Sequence, residues 1–188
     1  MMAQARLTMA HEHDDSEHFS CLETILNRLE TLVRDYELLV QAGALIKERR
    51  PVDVASLATE SWQAIGQDNA SLSIESEIVV RADPSRLQQV LENLFWNAMD
   101  HGPTDVTIRL GLLDQASGFF VADNGSGISS EDRKRVLQPG HTTTATGTGY
   151  GLAIVTEIAE AHEWTIQVKS DPTGGARFEF HHVELVES

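Results

Sequence analysis

The sequence predicts an α+β protein, a two-layer α/β sandwich preceded by a long N-terminal helix. Three observations point there. Apolar residues recur with helical period from about Ser16 to Ile46. Beyond Pro51, short runs of strand texture are joined to mixed helices by antiparallel-style connections. Apolar residues make up 41% of the 188, enough for a packed core. The stretch Glu48-Arg49-Arg50-Pro51 breaks the first pattern and reads as a linker, so residues 1–50 form a helical part and residues 51–188 a folded domain.

Each element follows from its own residues. Leu22, Leu29 and Tyr36 recur every seven residues, Ile25, Leu32, Leu39 and Ile46 follow three positions behind, and Leu26, Val33 and Val40 widen the stripe. That face is broader than a two-stranded seam needs, so it calls for burial in its own domain, in a helical hairpin, or against a second copy. Only Gln4 to Met9 precedes it, too little for a complete hairpin partner. Asp53 can cap a helix running to about Ile65. Ser71–Ile74 and Ile78–Arg81 have strand texture and are expected to pair as a hairpin. Asp83-Pro84 starts a helix whose face is Leu87, Val90, Leu91, Leu94 and Phe95, ending at His101-Gly102-Pro103. Val106–Leu113 and Gly118–Ala122 read as strands, and Glu131–Leu137 as a short helix. Residues 138–148 form a Thr/Gly-rich loop, Tyr150–Ala161 a helix, and Trp164–Val168 and Ala176–Val183 the closing strands.

Composition excludes several classes. There are 29 acidic and 14 basic residues, a net charge of −15, which repels nucleic acid and anionic membranes. One cysteine, Cys21, rules out an internal disulfide framework or a multi-cysteine zinc site. No apolar run is long enough to span a membrane, and the first residues lack the apolar centre of a signal peptide, so a soluble cytoplasmic chain is expected. The three lysines, Lys47, Lys134 and Lys169, stand against eleven arginines, and the acids are spread along the chain. That balance resembles salt-adapted, haloarchaeal-type proteins.

Four features can carry chemistry. Asn93 and Asn97 share a helix face in LENLFWNAMDHG; they can serve Mg²⁺ already held by phosphates, or be ordinary helix amides. Asp123-Asn124-Gly125-Ser126-Gly127-Ile128 follows a strand; its carboxylate can accept from an amino group beside a flat ring, or the segment can be a plain turn. Gly147-Thr148-Gly149-Tyr150-Gly151-Leu152 opens a helix, whose N–H groups can receive an anion. No Lys-Ser/Thr follows, so it is no Walker loop, and Leu152 in the last glycine's place rules out a dinucleotide fingerprint. His141-Thr142-Thr143-Thr144-Ala145-Thr146 can close over a ligand or stand exposed.

In this order the features resemble one family. LENLFWNAMDHG is similar to the N box, VADNGSGI to the first glycine box and GTGYGLAIV to the second glycine box of the sensor histidine kinase ATP-binding domain. Its fold, the Bergerat ATP-binding fold, is shared with DNA gyrase, a mismatch-repair ATPase and a heat-shock chaperone. The resemblance covers about residues 51–183, and residues 16–46 resemble the second helix of the kinase's dimerisation hairpin, making 1–50 a partial dimerisation and phosphotransfer hairpin. It implies ATP and Mg²⁺ as cofactors. Asp123 would take the adenine amino group, with Gly125, Gly127 and Ile128 shaping the pocket. Asn97 would hold Mg²⁺ against the phosphates, with Asn93 and His101 beside it. Thr146, Gly147, Thr148, Gly149, Tyr150, Gly151 and Leu152 would lie along the phosphates, and 138–146 would be the lid.

Departures matter as much. The fold's hydrolases carry a water-activating glutamate four residues before the Mg²⁺ asparagine; Asn93 stands there and cannot act as a base, while Glu92 points elsewhere round the helix. Asp100 replaces a basic residue common in histidine kinases, leaving Arg133 or Arg135 to substitute. The phosphoacceptor candidates, His11 and His13, have adjacent acids but no following proline, and His11 lies only 82 residues before Asn93. No catalytic residue is therefore assigned. Three readings follow: the kinase portion of a histidine kinase acting in trans, an anti-sigma-factor-type serine/threonine kinase, or a non-catalytic ATP-binding or dimerisation module. The heptad helix favours the first, with a homodimer through residues 16–46 and a response regulator or acceptor kinase chain as partners.

Overall fold

The computed structural model describes residues 46, 48–65, 69–114, 117–142 and 149–186. The long N-terminal helix, the dimer contact expected on 16–46, His11, His13 and residues Thr146, Gly147 and Thr148 lie outside them.

Asp53 ends the first strand, β1 (Arg50–Asp53), and starts the first helix, α1 (Val54–Ile65). Its Oδ1 accepts from the N–H groups of Ala55 and Ser56, and its Oδ2 from Ser56 Oγ, the cap expected from sequence. Two strands follow, β2 (Ser71–Ile74) and β3 (Val79–Ala82). They do not form the expected hairpin. β3 pairs antiparallel with β1, placing Pro51 opposite Arg81, whereas β2 pairs parallel with a later strand, β4 (Thr107–Leu112). Burial explains the split. Val80 and Ala82 are fully buried, while Ser71, Ser73 and Ile74 are exposed, so β2 is an edge strand with little apolar surface to hold β3 beside it.

The second helix, α2 (Pro84–His101), begins where Asp83 Oδ1 accepts from Ser85 N and Arg86 N, with proline in the first turn. It ends where Gly102 N–H closes on Ala98 O and Pro103 follows. Leu87, Val90, Leu91, Leu94, Phe95 and Ala98 form its buried face. β4 then pairs antiparallel with β5 (Gly118–Asp123), and the chain reaches α3 (Gly151–Ala161) before closing with β6 (Thr165–Ser170) and β7 (Ala176–His181). The larger sheet runs β2-β4-β5-β7-β6. The helix expected at 131–137 is instead a series of turns, with Arg135 N–H on Asp132 O and Gln138 N–H on Arg135 O. Of that segment only Val136 is buried among its apolar residues, and Pro139 comes two residues after the segment ends, so nothing sustains a longer helix.

Helices cover one sheet face. Ile108, Leu110, Phe119, Val121, Phe178 and Phe180 project towards them and are buried. Phe119 stacks on Phe180 at 4.7 Å, and Trp62 meets Phe95 edge-on at 5.6 Å. The opposite face carries Arg109, Arg177, Glu179 and Lys169, joined by ion pairs. One helical layer on one sheet is the α+β sandwich expected from sequence. No described helix is long and apolar enough to cross a membrane.

Candidate functional site

Three elements converge at one end of the sandwich: the last turns of α2, the end of β5 with its following loop, and the start of α3. β5 is buried at every position, so its final residue, Asp123, is carried into the interior with only 8% of its surface exposed. Asp123 Oδ1 accepts from Gly125 N at 2.8 Å and from Ala176 N at 3.1 Å. Neither bond uses Oδ2. Burial pushes the carboxyl above its ordinary range; the Ala176 and Gly125 N–H groups pull it back, the Asp171 charge adds to the rise and His101 opposes it.

The glycines let the backbone close up around Asp123. A Cβ on Gly125 would stand 2.9 Å from Asp123 Oδ1 and 3.2 Å from Gly102 Cα, so the loop can press against the end of α2 only without a side chain. Gly127 has φ of 73° and its Cβ position lies 3.0 Å from Gly175 O. Ile128 is half-buried against the core. Asn124 is used structurally: its Oδ1 accepts from Thr107 N at 2.8 Å and ties the loop to β4.

On α2, Asn93, Asn97 and His101 recur every four residues along one face. Asn93 Nδ2 donates to Gln89 O at 2.8 Å, and its Oδ1 sits 3.0 Å from where a Cβ on Gly151 would be, so Asn93 abuts the start of α3. Asn97 is half-buried, and His101 is exposed near Asp123. Glu92 accepts from Gln88 Nε2 at 2.8 Å in exposed surroundings, away from the other three.

Gly149 joins the remaining segment. Its φ is 76°, a Cβ there would meet Gly140 C at 2.7 Å and His141 N at 2.9 Å, and Gly140 N donates to Gly149 O at 3.0 Å. Residues 138–142 are thus fastened to the entry of α3. Tyr150 starts that helix without a side-chain cap, and its first turn has no acidic residue, which suits an anion. Tyr150 and Leu152 pack against the core, and Gly151 lies over Asn93.

Sequence reasoning missed one wall of this site. The turn Asp171–Gly175 between β6 and β7 brings Gly175 and Ala176 onto Asp123. The signal was the Gly174-Gly175 pair, and both residues have positive φ. The two arginines considered as substitutes at Asp100 lie elsewhere. Arg133 donates to Ser170 Oγ at 2.8 Å and to Ile128 O at 3.4 Å, and Arg135 stands 3.7 Å from Asp132.

The arrangement matches known proteins. The family described as histidine kinase-, DNA gyrase B- and HSP90-like ATPase matches residues 82–187, more than half of the chain, and includes α2, the Asp123 loop and α3. The chain belongs to this family. The sensor histidine kinase ZraS of Klebsiella oxytoca is 34% identical over 188 residues, covering 95% of this chain and 37% of that protein. The sensor protein IrlS of Burkholderia pseudomallei is 27% identical over 92% of this chain and 41% of that protein. The chain therefore spans little more than a third of the length of the ZraS relatives it matches. Among solved structures, full-length ShkA in complex with AMPPNP has a TM-score of 0.68 at 25% identity, over 85% of this chain and 37% of that one. The histidine kinase AdeS of Acinetobacter baumannii has a TM-score of 0.67 at 25% identity, over 90% of this chain and 84% of that one. The domain is an ATPase-fold domain of the sensor histidine kinase kind.

The residues present fit a nucleotide. Asp123 offers a buried acceptor edge, and Gly125 and Gly175 can pack closely against it because they lack Cβ atoms. They fit Mg²⁺ only as a passenger of phosphates. No group of three His, Cys, Asp or Glu able to hold a metal occurs among the described residues, so Asn97 would be one protein ligand to an ion otherwise held by phosphate and water.

Proposed function

We propose that this domain binds Mg-ATP and transfers its γ-phosphate to a histidine on a protein acceptor, as the catalytic portion of a two-component sensor kinase. The observation that carries this reading is the convergence of Asp123, with two backbone donors on one oxygen, and the Asn93–Asn97–His101 face on the uncapped start of α3. Asp123 Oδ2 would accept from the adenine amino group. Gly125, Gly127 and Ile128 would bound the ring. Asn97 would ligate Mg²⁺, and residues 146–152 with the α3 N-terminus would receive the phosphates. Residues 138–146 would close as a lid hinged where Gly140 meets Gly149. Bound ATP supplies the transferable phosphoryl group; the chain supplies position and charge compensation.

Hydrolysis is disfavoured by the residues themselves. Asn93 cannot serve as a base because a carboxamide is essentially non-basic, its amide N–H₂ is held by Gln89 O, and Glu92 is turned away. A pocket without a positioned base for water retains the phosphoryl group for a protein nucleophile. His11 and His13 do not fit the acceptor pattern, so transfer in trans, to a complete hairpin of another chain, is the favoured route. The chain would act in the cytoplasm as a homodimer through 16–46, passing phosphate towards a response regulator.

The test is calorimetric titration with Mg-ATP, followed by incubation with γ-labelled ATP and a separate histidine-bearing hairpin. Binding with acid-labile label on the hairpin is expected. Acid-stable label on serine would favour the anti-sigma type of kinase instead, and absence of binding would overturn the nucleotide reading altogether.

A further inference from the structure

The turn Asp171–Gly175 is held with more apparatus than a tight connection between β6 and β7 needs. The Asp171 side chain is fully buried. Its Oδ1 accepts from Thr173 N at 2.9 Å and from Thr173 Oγ1. Its Oδ2 accepts from Arg109 Nη2 at 2.5 Å and lies 3.8 Å from Arg177 Nη1. Backbone bonds from Gly174 N to Asp171 O and from Asp171 N to Gly175 O close the turn.

The anchors come from the uncovered face of the sheet. Arg109 stands opposite Ala122, and Ala122 opposite Arg177, so one row across three strands puts two guanidinium groups either side of a small residue. Ala122 is the residue before Asp123. Arg177 is further fixed over the Phe120 ring at 3.4 Å and by Glu179 at 2.8 Å, and Arg109 is also paired with Glu75 at 2.9 Å. The row thus reaches round the end of β5 and holds the turn against the residue that faces the proposed nucleobase.

The contact is close. Gly175 has φ of 76°, and a Cβ there would overlap the Asp123 carbonyl oxygen and stand 2.6 Å from Asp123 Oδ1. Ala176 N–H, the next donor in the chain, bonds that same oxygen. Asp123 therefore has one oxygen pinned from two sides, by Gly125 N and Ala176 N, so Oδ2 presents as a fixed acceptor.

We infer that Asp171, held by Arg109, is a positioning residue that sets base specificity, because it fixes the turn that orients the Asp123 carboxylate. The inference rests on the nucleotide reading of the site. A fixed acceptor suits a base with an exocyclic amino group, such as adenine, and repels one that presents a carbonyl oxygen there, such as guanine. A carboxylate free to rotate loses the first preference and relaxes the second.

The test is calorimetric titration of the full chain and of Asp171→Asn, Asp171→Ala, Arg109→Ala and Arg109→Lys with Mg-ATP, Mg-GTP and inorganic tripolyphosphate. Each variant is first shown folded by circular dichroism. Loss of one orienting bond's worth of free energy should weaken Mg-ATP binding about five- to tenfold in Asp171→Ala and Arg109→Ala. Tripolyphosphate affinity should stay unchanged and Mg-GTP affinity should hold or rise as the repulsion relaxes, so the ATP-to-GTP ratio compresses. Arg109→Lys keeps the charge and should restore part of the ratio, and Asp171→Ala with Arg109→Ala together should cost no more than either alone. A purely structural role would weaken all three ligands alike, which would overturn the inference. Asp171→Asn keeps the shape, so if Asp171→Ala fails to fold the ratio is still measured. An unchanged ratio in Asp171→Asn and Arg109→Ala also overturns it. If the unmodified chain binds no adenine nucleotide, the reading of the site falls and this inference with it.

Discussion

Asp123→Asn should raise stability and abolish most nucleotide affinity at the same time. The amide keeps an oxygen at the Oδ1 position, so Gly125 N and Ala176 N retain their acceptor. At the Oδ2 position an N–H₂ donor replaces an acceptor. A charge-assisted hydrogen bond contributes about 1.5–3 kcal/mol, so Mg-ATP binding should weaken by roughly ten- to 150-fold. The effect on stability has the opposite sign. Burial is the largest cause of the raised Asp123 carboxyl, so the folded protein at neutral pH holds an ion that it would rather protonate. Removing that ion stabilises the fold, and each decade of displaced titration is worth about 1.4 kcal/mol. Since the folded carboxyl is raised above its unfolded value of 3.8, the unmodified chain gains stability from this group as pH falls through the folded value, and Asp123→Asn lacks that gain. Differential scanning calorimetry at neutral and mildly acid pH, beside titration with Mg-ATP, reads both effects. The reasoning fails if Asp123→Asn melts below the unmodified chain at neutral pH, or if it binds Mg-ATP as tightly.

Other outcomes follow from single contacts. His162 is buried, its Nε2 accepts from Asp83 N at 3.0 Å and its Nδ1 lies 2.8 Å from Ile158 O, and burial holds it below the ordinary histidine value of 6.5. The unfolded chain takes up a proton first as pH drops below that value, so stability should fall by up to about 1.4 kcal/mol per pH unit there, and melts of His162→Gln should show no such slope. Gly149→Ala forces a side chain onto Gly140 and His141 at a φ of 76°, so titration should show weakened Mg-ATP binding with adenosine unaffected. Replacing Leu29 and Leu32 with glutamate should convert a dimer into monomers by light scattering, and a monomeric unmodified chain would count against the stripe as an interface. With a net charge of −15, melting temperature should climb between 0.1 M salt, where the Debye length is about 10 Å, and 1 M, where it is about 3 Å; flat melts would contradict self-repulsion.

Legibility followed locality. Asp83-Pro84 announced α2 because capping is decided within four residues, and Asp53 did the same for α1. The Asn face and the Asp123 loop were visible because each lies in one short stretch. The β2–β3 hairpin was misjudged because sequence adjacency is a poor guide when the intervening chain is short but the two strands bury different amounts; β2 finds its partner in β4 beyond α2. The Asp171–Gly175 wall was overlooked because its meaning depends on register. Nothing in Asp-Pro-Thr-Gly-Gly says which strand end it will meet until β7 is paired with β5. Arg133 and Arg135 looked available from their position in the chain, and only the fold shows what they touch.

The distribution of cations bears on how an acidic chain could hold a polyphosphate. Arg49 is engaged with Glu163, Arg81 with Glu184, Arg109 with Glu75 and Asp171, and Lys169 and Arg177 with Glu179. These pairs lie on the sheet, the linker and the C-terminal segment. Residues 138–152 contain no lysine or arginine, and Asp100 sits one residue from His101 at the end of α2. Charge compensation at the phosphates would then fall to neutral donors: backbone N–H groups at the start of α3 and the Asn97 amide. Neutral donors orient a polyanion but compensate little of its charge, and the net field of the chain opposes its approach. A divalent cation travelling with the phosphates removes most of that opposition. On the nucleotide reading, the metal would then be the main source of positive charge at the phosphate end, and binding should depend more on Mg²⁺ than in a pocket that places a lysine or arginine there.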